Sequence, residues 1–70
     1  MVKIYKTNIK DSKIAELIRK NVLQKCFPKC KINFDLEDCD KILRISGDNI
    51  SSEIIYDKVR GLGYYCIEIH

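Results

Sequence analysis

Hydrophobic and polar residues alternate along four short segments of the chain, with the period of two that is typical of half-buried β-strands. These segments cover residues 2–7, 32–36, 42–45 and 65–69. In the third segment, Leu43 and Ile45 are expected to face the core. The polar run Glu37–Asp40 separates the second and third segments and predicts a hairpin turn.

Two other segments have the spacing of an amphipathic helix. The first predicted helix begins after an N-cap at Asp11 or Ser12 and ends near Cys26, because Pro28 cannot continue it. The second begins after a cap at Ser51 and is terminated by Gly61 and Gly63. The residues expected to face the core are Ile14, Leu17, Ile18 and Val22 in the first helix and Ile55, Val59 and Leu62 in the second.

The resulting order, β-α-β-β-α-β, predicts an α+β fold of the ferredoxin-like type. We expect a four-stranded antiparallel sheet with two helices on one face, and residues 1–70 form a single domain. A hydrophobic fraction of 46% supports a real core rather than a disordered tail. The net charge of +3 is mild, although Lys3, Lys6, Lys10 and Lys13 form a small cluster.

The compartment is predicted from what the sequence lacks. It contains no secretion signal and no apolar run long enough to span a membrane, so we expect a cytoplasmic protein with no membrane partner. Four cysteines are many for 70 residues. In a cytoplasmic protein they are expected to be reduced thiols rather than disulfides.

Three sequence features together resemble the heavy-metal-associated, copper-chaperone-like domain, and the resemblance spans essentially the whole chain. The first is a strand that runs into a helix with Ile14, Ala15 and Ile18 at the family's offsets. The second is the pair of strands 32–36 and 42–45 around a short turn, and the third is Leu62-Gly63-Tyr64 after the second helix.

The resemblance implies a metal loop of the form M-x-C-x-x-C, and this chain departs from that pattern at each functional position. Ile9 stands in the place of the Met, and Asp11 and Ile14 stand in the places of the two cysteines. Copper(I) and zinc sites need converging thiolates, whereas a single carboxylate is a hard and weak ligand. We therefore expect a degenerate metal loop and no resident cofactor, with at most weak binding of copper or zinc.

In the family, the metal loop, the turn between the second and third strands, and the end of the second helix lie at one end of the domain. By this resemblance we expect a non-enzymatic domain that binds a protein partner or a second copy of itself through that end. The residues expected on this interaction surface are Lys10, Lys13, Cys39 and Tyr64.

Two alternatives stay open. A displaced copper or zinc site could use Cys26, Cys30 or Cys39, with further ligands from a second chain in a dimer. His70, the only histidine, is expected at the same end of the domain as Cys26 and Cys30. It is expected three strand spacings from Cys30, too far for the two to share one ion. An RNA-binding module has the same element order. Nucleic acid is the less favoured partner, because Tyr5 is the only aromatic residue predicted on a central strand.

Overall fold

Four strands form one antiparallel sheet with the order β2-β3-β1-β4, and two helices connect them. The computed structural model describes residues 1–69. This is an α+β fold consistent with the ferredoxin-like arrangement that the sequence predicts. The elements are β1 (Val2–Thr7), the first helix (residues 12–26), β2 (Lys31–Asp35), β3 (Ile42–Ser46), the second helix (Ser52–Gly61) and β4 (Cys66–Ile69).

The core lies between one face of the sheet and the two helices. Tyr5 of β1 is opposite Leu43 of β3, which in turn is opposite Phe34 of β2, so these side chains share the inner face. Leu43 and Ile45 are completely buried, as the sequence predicts. The helical residues in the same apolar cluster are Ala15, Ile18, Leu23, Ile55 and Val59.

The first helix changes its geometry midway, and this corrects the predicted core face. Its segments are α-helical over Ser12–Ile18, π-helical over Arg19–Leu23 and α-helical over Gln24–Cys26. A π-helical turn holds more residues than an α-helical one, so the next buried residue after Ile18 is Leu23 rather than Val22. Leu17 was expected in the core and is instead 58% exposed.

The second helix begins as predicted, with the Ser51 hydroxyl accepting a hydrogen bond from the backbone N–H of Ile54. The helix ends at Gly61, and Gly63 adopts a φ of +90°, the left-handed region that glycine favours. Leu62 was expected on the buried face, but it follows the last helical residue and is 46% exposed. None of the helices within residues 1–69 is long and apolar enough to cross a bilayer.

In strand β4 the apolar and polar side chains lie on the faces of the sheet opposite to those that its composition suggests. It begins at Cys66, one residue later than predicted, and Tyr65 lies outside it. Cys66 is opposite Thr7 and Glu68 is opposite Tyr5, so Cys66 and Glu68 face the helices. The isoleucines Ile67 and Ile69 therefore lie on the outer face of the sheet, with exposures of 58% and 44%.

Candidate functional site

Three connecting segments meet at the end of the sheet that contains the C-terminal end of β1. The backbone N–H of Thr7 donates to the carbonyl of Asp40 at 3.1 Å, and the Thr7 hydroxyl donates to the carbonyl of Lys41 at 2.6 Å. The backbone N–H of Tyr65 donates to the Asn8 side-chain oxygen at 2.9 Å. These bonds hold the β1–helix loop, the β2–β3 turn and the segment before β4 together.

The residues in the position of the family's metal loop have packing and capping roles. Ile9 is completely buried in the core, and Ile14 is partly buried against it. The Asp11 carboxylate accepts a hydrogen bond from the backbone N–H of Lys13 at 2.8 Å and caps the first helix. Asp11 is thus the only one of the three with a ligand atom, and that side chain already caps the helix.

An apolar groove of about 300 Å³ lies beside this loop, between the first helix and the end of the second. Its surface includes Leu17 and Leu62, which are 58% and 46% exposed. Lys13 lies one helical turn before Leu17, and Lys10 is exposed in the preceding loop. The lining residues are Ile14, Leu17, Ile18, Asn21, Val22, Leu62 and Tyr64.

Tyr64, Lys10 and Lys13 were predicted at this end from the sequence, whereas Leu17 and Leu62 were not. Both leucines fit the helical period and were therefore assigned to the core. Leu17 lies beside the buried face formed by Ala15 and Ile18, in the α-helical segment that precedes the π-helical one, and Leu62 follows the last helical residue, Gly61. The helical period does not show which apolar residue beside the buried face is exposed, whereas Gly61 does signal the end of the second helix before Leu62.

Cys39 lies in the β2–β3 turn and is exposed, between two acidic residues. Within residues 1–69, Asp38, Cys39 and Asp40 are the one group of three potential metal ligands, with ligand atoms within 4.8 Å of one another. The Asp38 carboxylate already accepts the backbone N–H of Asp40 at 2.8 Å. The Asp40 carboxylate lies 3.5 Å from the ammonium group of Lys6, so both acids have other partners.

Cys26 and Cys30 have different surroundings. Cys26 is partly buried and lines a surface cleft with Ile54 of the second helix. Cys30 is buried, and its Sγ packs against Gly47, where an added Cβ would lie 2.6 Å from that sulfur. Neither belongs to a group of three ligands in the part of the chain that the structure describes. His70, predicted near this end, lies outside the described residues.

A polar cluster between the sheet and the second helix was missed by the sequence analysis. The Ser52 hydroxyl donates to the Glu68 carboxylate and shares a hydrogen bond with the Tyr5 hydroxyl, both at 2.7 Å. The ammonium group of Lys3 donates to the same Ser52 oxygen at 3.3 Å. Burial raises the pKa of the Tyr5 hydroxyl above its usual value. The only signal in the sequence is a glutamate that alternates with isoleucines in β4.

Cys66, which faces the helices beside this cluster, is buried and unsuited to nucleophilic chemistry. Desolvation raises the pKa of its thiol to about 11, and the nearby Arg60 offsets this only in part. A thiol with this pKa is almost entirely protonated at neutral pH, whereas nucleophilic attack requires the thiolate. Cys66 is therefore a core residue.

The outer face of the sheet offers no platform for stacking RNA bases. Tyr5 points into the core and is completely buried, so it is not available on that face. The pairing of the described strands places no aromatic residue on the outer face. RNA-recognition domains of this topology need such residues on their central strands.

No protein-family model, no curated protein and no solved structure matches this chain.

Proposed function

We propose that this chain is a non-enzymatic protein-interaction module, with a scaffold that resembles a metallochaperone and a degenerate metal loop. The observation that carries the proposal is the apolar groove lined by Ile14, Leu17, Leu62 and Tyr64. Leu17 and Leu62 are 58% and 46% exposed and line the same groove, so together they form an apolar surface that a partner could cover.

The chemistry of the groove indicates the kind of partner. Leu17 and Leu62 would bury apolar side chains of a bound segment, and each fully buried aliphatic side chain contributes about 1.5–3 kcal/mol. Lys10 and Lys13 border the same end and favour acidic residues beside those apolar ones. We therefore propose a partner segment with apolar anchors flanked by Asp or Glu.

A selection from a displayed peptide library tests this proposal. We expect the selected peptides to combine apolar anchors with acidic flanks and to lose at least about tenfold in affinity with Leu17→Lys. Alanine at Lys10, Lys13 and Tyr64 together is expected to weaken the same peptides. Ile67→Lys is the matched control, because Ile67 is also 58% exposed but lies on the other side of the sheet. Peptides that bind equally well to the Leu17→Lys variant would contradict the proposal.

A displaced metal site is the second candidate function, and it is favoured by the proximity of the Asp38, Cys39 and Asp40 ligand atoms. These three ligands leave at least one position for a fourth from a second copy or a partner. Zinc titration of the reduced protein tests it. Stoichiometric binding that is lost in Cys39→Ser, and kept in Cys26→Ser/Cys30→Ser, would establish this site. Equal zinc uptake by both variants would remove it.

A further inference from the structure

The outer face of the sheet is mostly apolar on its β1–β4 side and charged on its β2 side. The outward residues of β1 include one charged side chain, Lys6, whose ammonium group lies 3.5 Å from the Asp40 carboxylate. On β1 and β4, the outward residues include Val2, Ile67 and Ile69, with exposures of 56%, 58% and 44%. On the other half, the outward residues of β2 are Lys31 and Asp35, both exposed, with Asn33 between them. Neither helix covers this face, because both pack on the opposite one.

The exposed isoleucines of β4 can be covered across the face more readily than along the strand edge. The backbone N–H of Glu68 points away from β1 and donates to the Tyr56 hydroxyl of the second helix at 3.1 Å. Tyr56 thus occupies a donor that a neighbouring edge strand would need. A partner that buries Ile67 and Ile69 is therefore expected to stack on the sheet, about 10 Å away, as paired sheets do.

We propose that this outer face binds a second copy of the chain, face to face, around a two-fold axis that lies between the sheets and crosses the strands. The charges select this arrangement. Lys31 and Asp35 lie at opposite ends of β2, so the two-fold places Lys31 of one copy over Asp35 of the other, twice. The same axis places the β1–β4 halves on each other and covers the isoleucines on both sides.

The size of the face predicts a weak and reversible dimer. Four strands about 4.8 Å apart and roughly five residues long give a face smaller than the about 800 Å² per partner of a stable complex. Arg44 lies in the middle of β3 on this face and meets its own copy near the axis, which opposes association. We expect a dissociation constant on the order of 10–100 μM.

Sedimentation equilibrium tests the proposal on the whole chain from about 10 μM to about 1 mM, where a dimer of this strength becomes populated. Ile67→Lys is expected to weaken the dimer at least about tenfold, because the new charge would be buried in the contact. Leu17→Lys is the matched control, since Leu17 has the same 58% exposure on the helical side. It is expected to leave the dimer unchanged. For the peptide binding proposed for the groove the expectation is reversed: Leu17→Lys weakens binding and Ile67→Lys does not. Failure of one proposal can therefore be distinguished from failure of the other.

A charge exchange tests the direction of the axis. Asp35→Lys alone and Lys31→Asp alone are each expected to weaken the dimer, since each places like charges opposite one another. The double variant Lys31→Asp/Asp35→Lys is expected to restore it. A chain that stays monomeric up to about 1 mM would overturn the proposal, as would a dimer that Leu17→Lys disrupts and Ile67→Lys does not. A double variant that remains weakened would overturn this arrangement.

Discussion

Strands β3 and β4 are both short and rich in isoleucine, yet they use their alternation in opposite ways. In β3, Leu43 and Ile45 face the helices with no exposed surface, and Arg44 between them faces out. In β4, Glu68 faces the helices, and Ile67 and Ile69 are on the outside. Strand β3 follows the rule that apolar residues fill the core, and strand β4 departs from it.

This difference indicates that a network of polar side chains can fix the register of a strand even when that register exposes the strand's apolar residues. A shift of one residue would move both isoleucines of β4 to the inner face. The observed register instead gives Glu68 two bonds to the second helix, through the Ser52 hydroxyl and the Tyr56 hydroxyl. As a consequence, the β1–β4 side of the outer sheet face is mostly apolar, with Lys6 as its charged residue, and we propose that a second copy covers it.

The largest expected effect is the difference in stability between the same substitution, Ile→Ala, made in β3 and in β4. Ile45→Ala removes a fully buried side chain and should lower the free energy of unfolding by about 2–5 kcal/mol. Ile67→Ala should lower it by less than about 1 kcal/mol in dilute solution, where the outer face is uncovered. Urea denaturation of both variants measures the difference. Equal losses would contradict the assignment of inner and outer faces.

A smaller effect is expected from the titration of Cys66. Its thiol pKa is about 11 in the folded chain and is expected near the ordinary cysteine value of 9.0 when the chain is unfolded. The folded state therefore holds this proton more tightly, so the stabilisation is complete below about pH 9 and is lost as the pH rises to about 11, by roughly 2 kcal/mol.

Unfolding experiments across that pH range, on the native chain and on Cys66→Ala, isolate this contribution. Every other residue is the same in both proteins, so its pH dependence cancels in the difference. We expect the stability difference between the two proteins to shrink as the pH rises from about 9 to about 11. A difference that stays constant would show that Cys66 does not face the core.

The smallest of the expected effects on stability comes from removing the Ser52 hydroxyl. Ser52→Ala removes hydrogen bonds to Tyr5 and Glu68 and should destabilise the chain by about 1–2 kcal/mol. Ser12 is the matched control, because it begins the first helix as Ser52 begins the second and is exposed. Ser12→Ala should change stability by less than about 0.5 kcal/mol. Similar losses in the two variants would remove the network as the cause of the β4 register.

Most of the fold could be predicted from the sequence, because alternation and helical spacing are local properties. The element order, the caps at Asp11 and Ser51, and the core residues Leu43 and Ile45 are confirmed. Leu17 could not be placed, since it and Ile18 both fit the helical period and only the packing shows that Ile18 is the buried one. Val22 could not be placed either, since the π-helical segment that makes Leu23 the next buried residue leaves no local pattern.

The candidate sites were harder to predict, because they depend on pairing between distant parts of the chain. The absence of cysteine from residues 9–14 could be seen in the sequence alone. The outward position of Ile67 could not, since it follows from bonds between β4 and residues in the second helix. The partner proposed for the groove depends on Leu62, whose exposure results from where that helix ends.

Nuclear Overhauser spectroscopy of isoleucine- and valine-methyl-labelled protein, in dilute solution, tests the central claim most directly. If β4 has the register described, the methyl groups of Ile67 and Ile69 should show no contacts with Ile55 or Val59 of the second helix. Ile69 should instead contact Ile4, its neighbour on the outer face of β1. Contacts between Ile67 or Ile69 and the methyl groups of the second helix would contradict the account.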